Sequence, residues 1–324
     1  MAEERKLIKL GNSSFAVALP KEWISKSGLK KGDKVFILPN NNGELMISSE
    51  FKKNGLGREI IIEIDGKNED SIQRDFISAY INGNTTFQFR GSINNEKKRY
   101  IKKLIQNYMN CEIAEEKDNF LTAKDFFNIE DVDLNNFTRR ADNNIREMFG
   151  ILINGVKTNH ITEQEINDIK EADADINRLY FLSSRIMTLG FNNPSLISTL
   201  KTEPTNLFNS WWIAFHLEHI GDGIKGLIRT IRQPNKNKES FNKLAHLLIE
   251  INKLYEDSMK SFYEKDKKGL HEIMERGKLI WEKCDKLTRG NDAFLSATAE
   301  KLKNIENASY QIIKMILNLE EKNG

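Results

Sequence analysis

Residues 216–226 read HLEHIGDGIKG and lie between two apolar stretches that continue as one long helix. Glu218 and Asp222 stand four apart in it, so both carboxylates share a helix face, where like charges cost a few tenths of a kcal/mol. Gly221 and Gly223 weaken the same helix further. A bound metal ion accounts for such a pair, and so does a solvated face, since a chain with 47 acidic residues in 324 holds about seven acidic i, i+4 pairs by chance. At 100° per residue the pair falls opposite the stripe Ile213, Leu217, Ile220, Ile224, Leu227, Ile231. In the preceding helix Glu171 and Asp175 fall opposite Ile166, Ile169 and Ile176. A hairpin near residue 195 makes the two helices antiparallel and puts the pairs level. Four outward carboxylates at one height form a hard, oxygen-rich site suited to iron, manganese or magnesium. Asp173 points toward the core side, as a packing contact or a further ligand. His216 and His219 flank Glu218 and read as surface or interface histidines, with nitrogen ligation as the other option.

Outward from this stretch, residues 131–320 carry helical periodicity throughout. Six helices are expected, at about 133–157, 162–190, 203–232, 237–264, 266–289 and 292–320, with Pro194, Pro204 and Pro234 at or near their joints. Short loops make them antiparallel, and the similar length of the two halves suggests a diverged repeat. The paired Glu-x-x-His arrangement of di-iron carboxylate enzymes is missing. No nucleophile–base pair or phosphate loop is visible either, so the chain does not read as an enzyme.

LEHIGDGIKG resembles the signature of PhoU proteins, which are pairs of three-helix bundles that bind metal clusters on acidic motifs. IKEADADIN, residues 169–177, resembles the matching upstream helix. The resemblance implies Glu218 and Asp222 as ligands, with Glu171, Asp173 or Asp175 opposite, holding divalent or trivalent ions such as iron, manganese, zinc or magnesium. His219 stands where the signature usually has arginine. In the second repeat, LKNIENASYQ at 302–311 places Lys303 and Asn307 where Glu and Asp are expected. That implies a lost second site, unless Glu306 and Glu282 keep a weak one.

The other end of the chain differs. KLIKLGNSSFAVALPKEW reads as a strand, a Gly-Asn-Ser-Ser turn and a second strand ended by Pro20, followed by a short helix closed at Gly28. GDKVFILPNNNGELMISS reads as two further strands around an Asn/Gly turn. About 50 residues of small strands rarely bury enough surface alone, so this module is expected to dimerise. Gly-Asn-Ser, an apolar strand, Leu-Pro-Lys, a short helix and Gly-Asp, in that order, resemble the AbrB/MazE/SpoVT swapped-hairpin family. The resemblance implies an intertwined dimer that binds DNA. Arg5, Lys6, Lys9 and Lys21 are the candidate phosphate contacts, and Asn12, Ser13 and Ser14 the donors in the turn. Between the two regions, residues 55–130 alternate strand and helix, as in a small α/β sandwich with helices over one sheet.

The expected architecture is therefore multidomain α+β. A swapped-hairpin β-barrel domain (1–52, dimeric) is followed by a small α/β domain (55–130). An all-α PhoU-like pair of three-helix bundles (131–324) has repeats at about 131–235 and 236–322. An AbrB-like head joined to a PhoU-like tail resembles archaeal phosphate-uptake regulators. It implies a homodimeric cytoplasmic regulator that binds DNA. The alternative is an adaptor that only dimerises through its head and docks on a phosphate ABC transporter or its sensor kinase. A net charge of +2 gives no global field toward nucleic acid or membrane. Cys111 and Cys284 are isolated, as in a reducing compartment. The charged start lacks a signal-peptide core, and no 18-residue apolar run is present to insert in a membrane.

Overall fold

The computed structural model describes residues 3–39, 45–49, 58–108, 110–129, 132–232, 238–290 and 292–318. The chain divides into two compact units, Met1–Asn54 and Gly55–Gly324.

In the first unit β1 (Ile8–Leu10) and β2 (Ser14–Ala16) form an antiparallel ribbon with Lys9 opposite Phe15. Gly11 takes a positive φ of 68° in the turn, a conformation that favours glycine. Helix α1 (Lys21–Lys26) starts after Pro20 and ends at Gly28, also at positive φ, where the amide of Leu29 returns to Ile24 O. A second ribbon pairs β3 (Phe36–Pro39) with β4 (Leu45–Ser48). The Asn/Gly turn expected between them lies outside the described residues. The two ribbons are separate sheets within one chain. None of the described residues of this unit with an assigned exposure is buried, and Leu7, Ile8, Leu10, Phe15, Ile37 and Leu45 are all exposed.

The second unit opens with a four-stranded sheet in the order β5-β6-β8-β7, formed by β5 (Glu59–Glu63), β6 (Thr86–Arg90), β7 (Cys111–Glu116) and β8 (Phe120–Asp125). β5 and β6 are parallel because α2 (Glu69–Ile81) crosses between them. β8 runs antiparallel to both β6 and β7, with a bulge between Ile113 and Glu115. The side chains of Asn68 and Asn94 cap α2 and α3 (Asn95–Gln106). Ile62, Ile64, Phe87, Phe89 and Leu121 of the sheet region bury against Ile72, Phe76, Ile101 and Ile105 of the two helices.

The remainder is helical: α4 (Leu134–Thr158), α5 (Glu163–Asn192), α6 (Pro194–Thr199), α7 (Pro204–Ile231), α8 (Lys238–Glu264), α9 (Leu270–Thr288) and α10 (Ala293–Asn318). The joint expected at NNPSL contains the short helix α6. Helix α9 begins four residues later than its periodicity implies. Asp266 accepts from the amide of Lys268, and Gly269 at φ 78° turns the chain there. The joint containing Pro234 lies outside the described residues. Helices α4, α5 and α7 pack on one another, as do α8, α9 and α10, and α7–α10 and α4–α8 contacts join the two sets. One core runs through both. Across it, Asp142 of α4 accepts from Tyr255 Oη (2.6 Å) and Tyr263 Oη (3.0 Å) of α8, and from Arg146 Nε (2.9 Å).

Packing explains the glycines of the opening stretch. A Cβ at Gly221 would sit 3.3 Å from Ile176 Cδ1, and one at Gly223 only 2.5 Å from Ile305 Cγ1. Their absence lets α7 lie close to α5 on one side and to α10 on the other. Gly223→Ala is therefore expected to destabilise the unit by about 1–3 kcal/mol through overpacking. Gly150→Ala, in an exposed helical position with no atom within 4 Å of the new Cβ, is expected to stabilise by about 0.5–1 kcal/mol. Chemical denaturation of the two variants measures both signs.

Candidate cation site and candidate nucleic-acid surface

The close approach of α5 and α7 sets the geometry of the carboxylates. Gly221 leaves room for Asp173 of α5, whose Oδ1 lies 3.8 Å from where its Cβ would be. Asp173 is buried, Glu218 is half-buried with 17% of its side chain exposed, and Asp222 is open to solvent. Between them stands Lys225, whose Nζ donates to Asp173 Oδ2 and to Asp222 Oδ1, both at 2.6 Å. Burial pushes the carboxyls of Asp173 and Glu218 above the usual range, and the Asp222 carboxylate adds to both. Burial alone would lower the Lys225 ammonium, but Asp173 and Asp222 more than offset it and hold it above the ordinary lysine value. Two carboxylates, Asp173 and Asp222, thus share one ammonium, while Glu218 pairs with His219 beside them. Such a carboxylate set suits a hard cation. Among the described residues no three His, Cys, Asp or Glu side chains stand in ligating geometry.

Two of the expected ligands lie elsewhere. Asp175 is buried rather than outward, because α4 covers that side of α5. It accepts from Arg140 Nε (2.7 Å), Asn144 Nδ2 (2.9 Å) and Arg178 (3.1 Å). Residue 173, about 200° around the helix from 171 and 175, is the one that meets α7. Glu171 is exposed and makes no ion pair with a described residue. The four level, outward carboxylates expected from the periodicity are therefore replaced by Asp173, Glu218 and Asp222. Lys225 went unnoticed in the sequence, although GDGIKG places it three residues after Asp222.

His219 Nδ1 lies 2.8 Å from Glu218 Oε2 and 3.0 Å from Phe215 O, which leaves Nε2 facing outward from these contacts. His216 is buried edge-on to Trp212 and Phe215, at centroid distances of 4.9 and 5.2 Å, and no described residue makes a hydrogen bond to either ring nitrogen. Burial pulls its pKa down to about 4, so the ring is neutral. In α10 Lys303 reaches Asp285 at 3.2 Å and lies over the Trp281 ring. Glu306 is buried whereas Glu282 is exposed.

In the first unit Arg5, Lys6, Lys9 and Lys21 are exposed, as are Asn12, Ser13 and Ser14 in and beside the β1–β2 turn. Arg5 pairs with Glu3, while Lys6, Lys9 and Lys21 make no ion pair with a described residue. Lys9 shares its face of the ribbon with Phe15. Cations, amide and hydroxyl donors and apolar side chains therefore crowd one small, uncovered module.

Residues 8–54 match the family model described as antidote-toxin recognition MazE, bacterial antitoxin. The first unit is thus similar to an antitoxin-type regulatory domain, and the match does not extend into the helical unit. No curated protein and no solved structure showed a match to the chain. Among the described residues no helix is long and apolar enough to cross a membrane.

Proposed function

We propose that the protein is a homodimeric regulator of phosphate uptake that binds DNA through its N-terminal unit. The observation that carries this reading is the first unit itself, in which a single chain buries none of the described residues with an assigned exposure yet presents apolar strands beside Lys6, Lys9 and Lys21, which make no ion pair with a described residue. A second copy, with the ribbons of the two chains interleaved as a swapped-hairpin barrel, covers the apolar side chains. Two-fold pairing then repeats Arg5, Lys6, Lys9 and Lys21 on one surface, suited to a phosphate backbone, with Asn12, Ser13 and Ser14 placed to reach base edges. The match to an antitoxin family supports this part. The helical unit supplies the second half of the reading. Asp173, Glu218 and Asp222, in a six-helix arrangement similar to PhoU proteins, are the proposed ligands of a hard metal ion through which the regulator reports its state. The role is regulatory rather than enzymatic, in the cytoplasm.

The salt dependence of DNA binding by the full chain tests this. Arg5→Gln with Lys9→Gln removes up to four phosphate contacts per dimer, each tied to about 0.9 in the slope of log affinity against log salt. The variant is expected to stay dimeric, to bind specific and non-specific DNA more weakly, and to show a shallower slope. A wild-type dimer that binds no DNA at low salt overturns the DNA reading and favours an adaptor docked on a phosphate transporter or its sensor kinase.

A further inference from the structure

The β1–β2 ribbon has two faces, and both carry apolar side chains. Lys9 and Phe15 stand opposite each other on one, while Ile8, Leu10 and Ala16 occupy the other, with Ser14 at its turn end. Ile8, Leu10 and Phe15 are each more than half exposed in the single chain. The second copy proposed above takes one face of the ribbon into its barrel and leaves the other outside, since successive residues of a barrel strand alternate between interior and exterior. Charge decides which face goes in. Closing the barrel on the Lys9 face buries an ammonium that makes no ion pair with a described residue, and a buried unpaired charge is costly. The face of Ile8, Leu10 and Ala16 carries no charge and goes inside without that cost. Phe15 therefore stays on the outer surface of the dimer beside Lys9, and it is 64% exposed in the single chain.

Dimerisation thus does not account for Phe15, and the charge around it indicates what does. From Arg5 to Lys21 the sequence holds four cations, Arg5, Lys6, Lys9 and Lys21, and no acidic residue. Such a surface is complementary to a polyanion. A two-stranded ribbon fits the major groove of duplex DNA, where the thymine methyl group is the apolar feature of the base edges and Phe is one of the side chains that contact it. We infer that Phe15 is a specificity-determining residue that reads a thymine methyl group in the major groove, while Lys9, across the ribbon from it, holds a neighbouring phosphate. The inference rests on the DNA reading given under the proposed function. It adds a chemical preference to that reading: one thymine at a fixed place in each half of a two-fold site, recognised without a hydrogen bond.

Selection of duplexes from a random-sequence pool by the full chain, followed by binding measurements, tests it. Wild type is expected to enrich thymine at one position per half-site, and Phe15→Ala to lose that preference while staying dimeric. Lys9→Gln is expected to bind more weakly and to keep the preference. Replacing the selected thymines by deoxyuridine removes the methyl groups alone. This is expected to weaken wild-type binding about fourfold for each methyl, or about fifteenfold for the two met by a dimer, as for burial of one methylene-sized group apiece. Phe15→Ala is expected to bind the two DNAs equally. The deoxyuridine comparison in wild type does not depend on the variant folding. Equal wild-type binding to the thymine and deoxyuridine sites, or a thymine preference retained by Phe15→Ala, overturns Phe15 as the reader and leaves the DNA reading standing. Loss of the dimer in Phe15→Ala puts the ring inside the barrel and overturns it too. Absence of DNA binding by wild type at low salt overturns the DNA reading and this inference with it.

Discussion

Arg185→Met is expected to cost the second unit about 3–5 kcal/mol, the usual effect of removing one partner from a buried ion pair. Arg185 projects from α5 into the base of the sheet and is 3% exposed. It meets the Asp125 carboxylate at 2.7 Å, donates to Tyr80 O (2.6 Å) and Asn84 O (2.9 Å), and lies over the Tyr80 ring. Substitution removes the guanidinium donor from Asn84 O and from Tyr80 O, which keeps the Gly83 amide, and leaves Asp125 without its counter-charge. Burial already holds the Asp125 carboxyl above the ordinary range, and Arg185, with a smaller share from the Phe127 amide, opposes that shift. Without it the folded-state pKa rises further above the unfolded value. The charge-related part of the loss is therefore small near pH 4 and grows as pH rises, while the lost hydrogen bonds cost the same throughout. Urea denaturation at pH 4.5 and pH 8 measures both parts. Arg185→Met with Asp125→Asn is expected to recover part of the loss at pH 8. Equal stability of wild type and Arg185→Met at pH 8 overturns this account. Because the contact joins the sheet to α5, hydrogen exchange in β5–β8 is expected to speed up more than exchange in α9 and α10.

The helices were legible because their signal is repetitive. Apolar residues at Ile166, Ile169, Ile176, Ile213, Leu217, Ile220 and Ile224 all reach the core that the 3.6-residue period implies. Strands β5 to β8 were legible as short runs between turn residues. The site was less so, because periodicity says which residues face out from a helix's own stripe and not what stands opposite. Asp175 leaves the stripe of α5 and yet is covered by Arg140 and Asn144 of α4, a neighbour the period does not see. Asp173 lies toward the stripe and still meets Lys225, because Gly221 opens a gap there. The Arg185–Asp125 pair spans 60 positions of sequence and has no local signature. That the first unit leaves its apolar strands uncovered was readable because a module of about 50 residues with small strands cannot complete a core alone.

Glu306→Gln is expected to stabilise the helical unit by about 3 kcal/mol at pH 8 and by almost nothing at pH 4. Glu306 is 2% exposed on α10 and faces α9, where a Cβ at Gly277 would lie 3.1 Å from its Oε1. No hydrogen bond or ion pair joins it to a described residue, since Lys303, one turn away, is taken up by Asp285 and Glu300. The arrangement mirrors the first helix set with the partners exchanged. There an aspartate on α5 faces a glycine on α7; here a glutamate on α10 faces a glycine on α9, without the lysine. Burial pushes its carboxyl from the ordinary 4.5 up to about 7. Below pH 4.5 the carboxyl is protonated in folded and unfolded chains alike and carries no penalty. Between 4.5 and about 7 the unfolded chain ionises first, so stability falls with rising pH. Above about 7 the folded chain ionises too and the loss levels off. A gap of that size corresponds to about 3 kcal/mol. The amide of glutamine keeps the shape and never ionises, so the variant is expected to lack this part of the pH dependence. Melting curves of the two proteins that stay superimposed from pH 4 to pH 8 would show that Glu306 has a counter-charge in solution. Curves that separate only above pH 5 would establish a buried, unpaired carboxyl inside the α8–α10 set, where the matching position of the first set, Gly221, carries no side chain.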